Sequence, residues 1–262
     1  MALDGRVIWI TGASSGIGAE VARELARRGA RVAATARGAD ALAELASADR
    51  RISAHPGDTT DAEEMTRVAE EIRSSMGPID IALLNAGTYR PVRPSEFTAD
   101  LFRPQVEVNI MGTVNCIQAV LPDMLARRSG RIAVVASVTG FAALPMAAAY
   151  GATKAFLISM SDSLRADLEG EDTGVEVTVV APGFVKTPLT DQNDFEMPFL
   201  IEAPEAARII ADGLERGDPE IAFPRRMTFA MKAIGRFLPG PLRRRYVARV
   251  ARKRARDRAA AG

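Results

Sequence analysis

Short apolar runs rich in β-branched residues alternate, over most of the chain, with segments whose apolar positions recur at helical spacing. Val7–Ile10 reads as a first strand, and Ile17, Val21 and Leu25, four apart, give the helix after it an apolar stripe. Arg31–Thr35 and Arg51–His55 read as the second and third strands. Thr60-Asp61-Ala62-Glu63 then carries a capping-box pattern that starts a helix. Ile79–Leu84 is a fourth strand, Ala99 to Ala126 a long helix, Arg131–Ala136 a fifth strand, Met146–Leu168 a helix and Val175–Ala181 a sixth strand. Strands apolar along their whole length and separated by helices predict a parallel sheet covered on both faces. The fold class is therefore α/β, a doubly wound parallel sheet of Rossmann type. One domain is expected over 1–224, with a basic amphipathic helical extension over 225–262.

Composition narrows the functional classes. Of the 262 residues, 47% are hydrophobic and 26% charged, a balance that fits a globular chain and neither disorder nor a polytopic membrane protein. The single cysteine, Cys116, excludes an internal disulfide, and no Cys/His cluster has metal-ligand spacing, so no metal site is expected. With one histidine, His55, and no G-x-S-x-G elbow, a Ser-His-Asp hydrolase has little to build on. The first ten residues lack the pattern of a signal peptide, so a cytoplasmic location is expected. Ile132 to Thr153 is free of charge for 22 residues, yet Ser137, Thr139, Gly140 and Pro145 mark it as strand, loop and buried helix start rather than a membrane span.

The charge is unevenly distributed. Between Arg225 and Arg258 thirteen basic residues face one acid, a segment charge of +12; the chain's net +1 leaves −11 on the rest.

Several residues carry candidate chemistry. Thr11–Gly18, TGASSGIG, joins the first strand to the first helix, where a dinucleotide pyrophosphate is held at a helix N-terminus. Gly12 permits the tight turn, Gly16 lets the backbone approach phosphate, and Gly18 lets helix and sheet pack closely, although the spacing is G-x-x-x-G-x-G rather than G-x-G-x-x-G. After the second strand no acid is present to bind a ribose 2′-hydroxyl. Arg37, 19 residues beyond Gly18, can instead grip a 2′-phosphate, which favours NADP over NAD. The bland alternative is a solvated Arg beginning a helix. Tyr150 and Lys154, four apart, share a helix face, where the cation can stabilise phenolate. Ser137 ends a predicted strand 13 residues earlier, and Asn109 lies within the long helix, where Asn is unfavourable. Taken singly, these three have ordinary readings as a helix surface pair, a turn serine and a surface Asn.

Together and in this order, they resemble the short-chain dehydrogenase/reductase superfamily, in its branch of roughly 250 residues. The resemblance covers about residues 5–222 and rests on TGASSGIG, Asp58 in GDTTD, LNAG at Leu84–Gly87, Asn109, Ser137, YGATK at Tyr150–Lys154 and PGFVKT at Pro182–Thr187. It departs at Leu84, where the family more often has a second Asn. The resemblance implies a catalytic set of Asn109, Ser137, Tyr150 and Lys154. In it Tyr150 exchanges a proton with a substrate oxygen, Ser137 bonds that oxygen, Lys154 lowers the Tyr150 pKa and bonds ribose, and Asn109 holds a relay water. It also implies that NADP(H) is bound by Gly12, Ser14, Ser15, Gly16, Ile17, Gly18, Arg37, Asp58, Asn85, Ala86, Gly87, Tyr150, Lys154, Pro182, Gly183, Val185 and Thr187. Among these, Asp58 would meet adenine, Asn85 and Gly87 the adenosine side, and Thr187 the carboxamide.

The family also places a substrate lid after the Pro-Gly motif, here about 188–204. Leu189, Phe195, Met197, Phe199, Leu200 and Ile201 would form one apolar wall, and Phe141, Leu144 and Met146 another, suited to a hydrophobic carbonyl or secondary alcohol. In the tail, Met227, Ala230, Met231, Ile234 and Leu238, then Leu242, Tyr246 and Val250, keep helical spacing among arginines. Such a helix can lie on an anionic membrane surface, pack on the acidic body or stay solvated, with no specific nucleic acid expected. The resemblance implies a homodimer or homotetramer built through the long helices. Lyase or epimerase chemistry on the same fold, and a non-catalytic NADP sensor, are the other readings.

Overall fold

A computed structural model describes residues 2–261, with the side chains of Arg254 and 257–261 left aside; Gly262, the last residue of the extension, lies outside the described residues. Its elements, in chain order, are β1 (Val7–Thr11), α1 (Gly16–Arg27), β2 (Arg31–Thr35), α2 (Ala39–Ala48), β3 (Ile52–Ala54), α3 (Ala62–Met76) and β4 (Ile81–Leu84). There follow α4 (Ala99–Val106), α5 (Gly112–Ala126), β5 (Gly130–Val135), α6 (Ala148–Gly170) and β6 (Val175–Pro182). The chain ends with β7 (Val185–Lys186), β8 (Ile201–Glu202), α7 (Ala203–Arg216), β9 (Glu220–Phe223), α8 (Arg225–Phe237) and α9 (Gly240–Ala261).

Seven strands form one parallel sheet in the order β3-β2-β1-β4-β5-β6-β9, and β7 and β8 pair apart from it. The order reverses between β1 and β4, with Ile10 beside Ala34 on one side and Leu83 on the other. At such a switch point the loops leaving adjacent strands diverge and open a crevice at their carboxyl ends. Alternate side chains of β1 serve two cores. Ile8 and Ile10 pack towards α1 and α7, and Val7 and Trp9 towards α3, α5 and α6. Each such fully buried side chain contributes about 1.5–3 kcal/mol, which is why strands buried on both faces read as unbroken apolar runs.

The predicted strands and helices all form, with ends displaced by a few residues. The capping box is shifted by one: Asp61, not Thr60, caps α3, accepting from the Glu64 amide at 2.9 Å, and the Thr60 hydroxyl donates to Asp58 instead. The long helix is not uniform. Between α4 and α5 lies a π-turn, Glu107–Met111, with Asn109 in it. Five elements have no counterpart in the sequence reading: α2, which buries only Leu42 and Leu45, the two-residue strands β7 and β8, then α7 and β9. The buried face of α7 is largely alanine (Ala203, Ala206, Ala207 and Ala211), whose small size lets the helix approach α1 but leaves a weak stripe in the sequence.

The uncharged stretch 132–153 forms β5, a loop and the start of α6. Among the described residues, no helix is long and apolar enough to cross a membrane. The basic tail is two helices of different kinds. α8 packs Met227 and Met231 against Val138 and Ala142, with Phe141, Leu144, Phe184 and Ile234 around them. Lys232, off the apolar stripe, donates to Glu220 at 2.6 Å and lies 4.8 Å from the centre of the Phe141 ring. α9 is mostly exposed.

Candidate active site

The turn from β1 into α1 is built on close backbone approach. Gly12 has φ +66°, and a Cβ there would stand 2.8 Å from the Ala86 Cα; at Gly18 a Cβ would collide with the Gly12 carbonyl oxygen. Two side chains hold this arrangement. The Thr11 hydroxyl accepts from the amides of Asn85 and Ala86, each at 3.1 Å, and the Asn85 amide group donates to the carbonyls of Thr11 and Gly12, also at 3.1 Å. Ser15 precedes α1 without a side-chain cap, so the first-turn N–H groups remain available to an anion.

The cleft above this turn encloses about 640 Å³ and reaches from Arg37 and Asp58 at one end to Ser137, Tyr150 and Lys154 at the other. Its volume, its glycine-built floor and the uncapped helix end fit a dinucleotide. Gly12, Ser14, Ser15, Gly16 and Ile17 line it, as do Asn85, Ala86, Gly87, Pro182, Gly183, Val185 and Thr187. Asp58 presents a carboxylate already engaged with the Thr60 amide and hydroxyl. Gly18 and Asn109, nominated with the others, do not line the cleft: both are buried behind it, so their part is support.

Asn109 shows what that support is. Its Oδ1 accepts from the Thr88 amide at 2.7 Å, while Nδ2 donates to the Thr88 carbonyl and the Thr153 hydroxyl, each at 3.0 Å. The side chain thus ties the loop after β4 to α6, the helix carrying Tyr150 and Lys154. The π-turn is the local device that brings a helix-disfavoured Asn into this buried position.

At the inner end, Ser137 is buried where β5 gives way to a short turn. Its hydroxyl donates to the Pro182 carbonyl at 3.3 Å and accepts from the Thr139 amide at 3.2 Å. Lys154 donates to the Val135 carbonyl at 2.7 Å, with its ammonium 5.6 Å from the Tyr150 ring centre. Burial pushes the Tyr150 phenol up to about 12, a hydrogen bond with Ser137 partly opposing it. Burial also pulls Lys154 down to about 8. This corrects the expectation of a phenol acidified by the cation: the shift runs upward, with burial its largest cause.

The substrate side is assembled from distant segments. Leu144, Pro145, Phe184, Leu189, Phe195 and Met227 surround the face of Tyr150 and Ser137. The walls are narrower than expected: Met197, Phe199, Leu200 and Ile201 do not line this pocket, nor do Phe141 and Met146. Ile201 packs against the main core and Phe141 beneath Lys232. The lid segment is held by Thr190, whose hydroxyl donates to the Val185 carbonyl at 2.7 Å and accepts from the Thr187 amide at 3.0 Å.

Tyr89 escapes the sequence reading. Its ring meets Tyr150 edge-on with centroids 5.1 Å apart, and its hydroxyl donates to Asn193 of the lid at 3.2 Å. The available signal is its place two residues after Gly87 in a chain with three tyrosines. Thr11 and Thr88 escape it too: the Thr11 hydroxyl works on backbone amides of another segment, and Thr88 takes part through its own amide and carbonyl, held by Asn109. His55 bonds Ser53 at 3.0 Å, and burial lowers its pKa; it does not line the cleft. Cys116 is buried, with its thiol pushed up by burial. Among the described residues no group of His, Cys, Asp and Glu could hold a metal.

Residues 6–197 match the family model described as short chain dehydrogenase. An uncharacterized oxidoreductase of Myxococcus xanthus is 37% identical over 241 residues, covering 90% of this chain and 94% of its own. One from Staphylococcus saprophyticus is also 37% identical, over 74% of this chain and 84% of its own. A crystal structure of a short-chain dehydrogenase from Streptomyces avermitilis superposes with a TM-score of 0.75 at 26% identity, over 87% of this chain and 90% of that one.

Proposed function

Because the chain belongs to the short-chain dehydrogenase family, whose oxidoreductases use nicotinamide cofactors, we propose that it is an NADP(H)-dependent reductase of hydrophobic carbonyl compounds, reversible to the alcohol. The observation that carries this reading is the inner end of the cleft, where Ser137, Tyr150 and Lys154 converge beside an apolar pocket.

Held in the cleft, a reduced nicotinamide would supply the hydride for the carbonyl carbon. Tyr150 gives its phenolic proton to the carbonyl oxygen; with a pKa of about 12 it holds that proton throughout the neutral range. Ser137 turns its hydroxyl from the Pro182 carbonyl to the same oxygen, a donor aimed where charge develops. Lys154, anchored on Val135, holds a positive charge beside the phenol as the proton leaves. Asn109 fixes the spacing between the Thr88 loop and α6, so the phenol and the cleft floor keep their relative position.

For the cofactor, the end of β2 bears Thr35 and Ala36 in place of an acid, and Arg37 is exposed at the cleft's outer end, a combination that accepts a 2′-phosphate. One set of assays tests both halves. Tyr150→Phe should lower reduction of hydrophobic ketones with NADPH by about 10²–10⁴-fold while leaving NADPH affinity intact. Arg37→Gln should weaken NADPH, and not NADH, by about ten- to a hundredfold. Turnover surviving in the Tyr150 variant would reject the proton-donor assignment, and NADPH binding with no turnover on any ketone would favour a sensor. Pairing of copies belongs to the same proposal, supported by Met111 of the π-turn and Phe156 of α6, both large, apolar and exposed. Light scattering should give a dimer or tetramer, and a monomer at assay concentration would remove it.

A further inference from the structure

Beyond the catalytic pocket lies a second chamber of about 1400 Å³, between the lid and the two C-terminal helices. The two spaces share Leu144, Phe184, Phe195 and Met227, so they adjoin across these side chains. The floor continues with Ala230, Met231 and Ile234 of α8, and Phe199 stands at the rim, half exposed, with φ +58°. A bulky residue in the left-handed region is uncommon and strained, and here it keeps an aromatic ring at the chamber's mouth.

The opposite wall is cationic. Arg245, Arg249, Arg252, Lys253 and Arg256 of α9 line it, against one carboxylate, the exposed Glu196. Among the described residues none of these five forms an ion pair with an acid, whereas Arg23, Arg27 and Arg28 of the body do. Five cations within twelve residues repel one another, and a bound anion relieves that repulsion. The apolar residues of α9 decide what kind of anion. Tyr246 and Val250 line the chamber, so two of the three apolar positions spaced by four in the basic helix face the enzyme's own cavity, Leu242 being exposed outside it.

We propose that the chamber binds one amphiphilic molecule, its apolar chain on the lid and α8 and its anionic head against the arginines of α9. With the reductase reading, on which this placement of the reacting group rests, the substrate is a carbonyl compound whose chain runs outward from Tyr150 to a charged head. The volume exceeds what a small ketone fills, and the charge excess selects against a neutral lipid.

Binding to the full-length protein, read by calorimetry with dodecyl phosphate and dodecanol below their aggregation concentrations, tests this without any carbonyl chemistry. Wild type should prefer dodecyl phosphate by at least tenfold. Arg245→Gln/Arg249→Gln should cut that preference to about twofold at an unchanged thermal midpoint, and Ile234→Ser should weaken both probes. Equal affinities in wild type, or a preference that survives the double arginine change, would overturn the proposal. So would binding to anionic vesicles of mixed phosphatidylserine and phosphatidylcholine without binding to the monomeric phosphate, which would make the tail a membrane contact. Failure of the reductase reading looks different: phosphate-selective binding that the arginines control, in a protein that reduces no ketone, leaves this site standing. Ketone reduction with no phosphate preference leaves only the reductase.

Discussion

The two ends of the cleft are made of different material. The nucleotide end is backbone: a glycine turn, an uncapped helix start, amides held by Thr11 and carbonyls held by Asn85, all within the first ninety residues. The substrate end is side chains from Tyr89, Leu144, Phe184, Leu189, Phe195 and Met227, brought together from segments far apart in the chain. A backbone site tolerates almost no added atom, because nothing there can turn aside. A side-chain site tolerates change by repacking and gives graded effects.

The largest expected contrast comes from Gly18→Ala at the nucleotide end. The added methyl meets the Gly12 carbonyl, and relief requires moving the turn, at a cost of about 1–3 kcal/mol in stability. Nucleotide affinity should fall at least tenfold, measured by fluorescence titration. Unchanged affinity would show that the turn yields and that the distinction between the two ends is false.

Comparable in stability, and next in its effect on binding and turnover, is the response to pH at the junction between them. Lys154 has its pKa lowered from 10.5 to about 8, so between those values the unfolded chain binds the extra proton. The penalty for burying charged Lys154 is in full force below about pH 8 and fades as pH rises towards 10.5, about 3 kcal/mol in all. Stability curves of wild type and Lys154→Met should therefore converge over that window, the variant being the more stable below it. In the same window reductive kcat/KM should fall with an apparent pKa near 8, while Tyr150, at about 12, stays protonated. A flat profile to pH 10 would separate Lys154 from catalysis.

Smallest is Tyr89→Phe on the substrate end. Removing the hydroxyl that reaches Asn193 should cost about 0.5–1.5 kcal/mol, seen as a rise in ketone KM of about two- to tenfold with nucleotide affinity unchanged. An equal effect on both affinities would mean that the lid and the cofactor cleft respond as one body.

The same division explains what the sequence discloses. Residues 11–18 announce their site because the geometry depends on which positions lack a side chain, and that is written locally. Tyr150 and Lys154 are legible as a pair because helical periodicity alone puts them on one face. Thr11, Thr88 and Tyr89 are silent, since a threonine holding two amides of another segment is indistinguishable in sequence from one facing water. The tail reads as one amphipathic stretch, and residues 225–238 do fulfil that pattern. Beyond Gly240 the spacing of Leu242, Tyr246 and Val250 is diluted by arginines, and the role proposed for α9 rests on the cavity opposite it. The direction of the Tyr150 pKa shift is opposite to the one its spacing from Lys154 suggests, because desolvation depends on burial, which no spacing reveals.

The π-turn at Glu107–Met111 gives chain length a meaning of its own. Such a turn carries one residue more than the α-turn it replaces, so removing any one of the four around Asn109 would heal the ladder and yield a smoother helix. The flanking turns would keep nearly the same orientation, since the wide turn already absorbs the extra residue, and the shift would fall on the residues of the turn itself. Asn109 would then lose Thr88 or Thr153 without being substituted. Along this stretch the number of residues is itself part of the active site, and an indel that improves the helix would disable the enzyme.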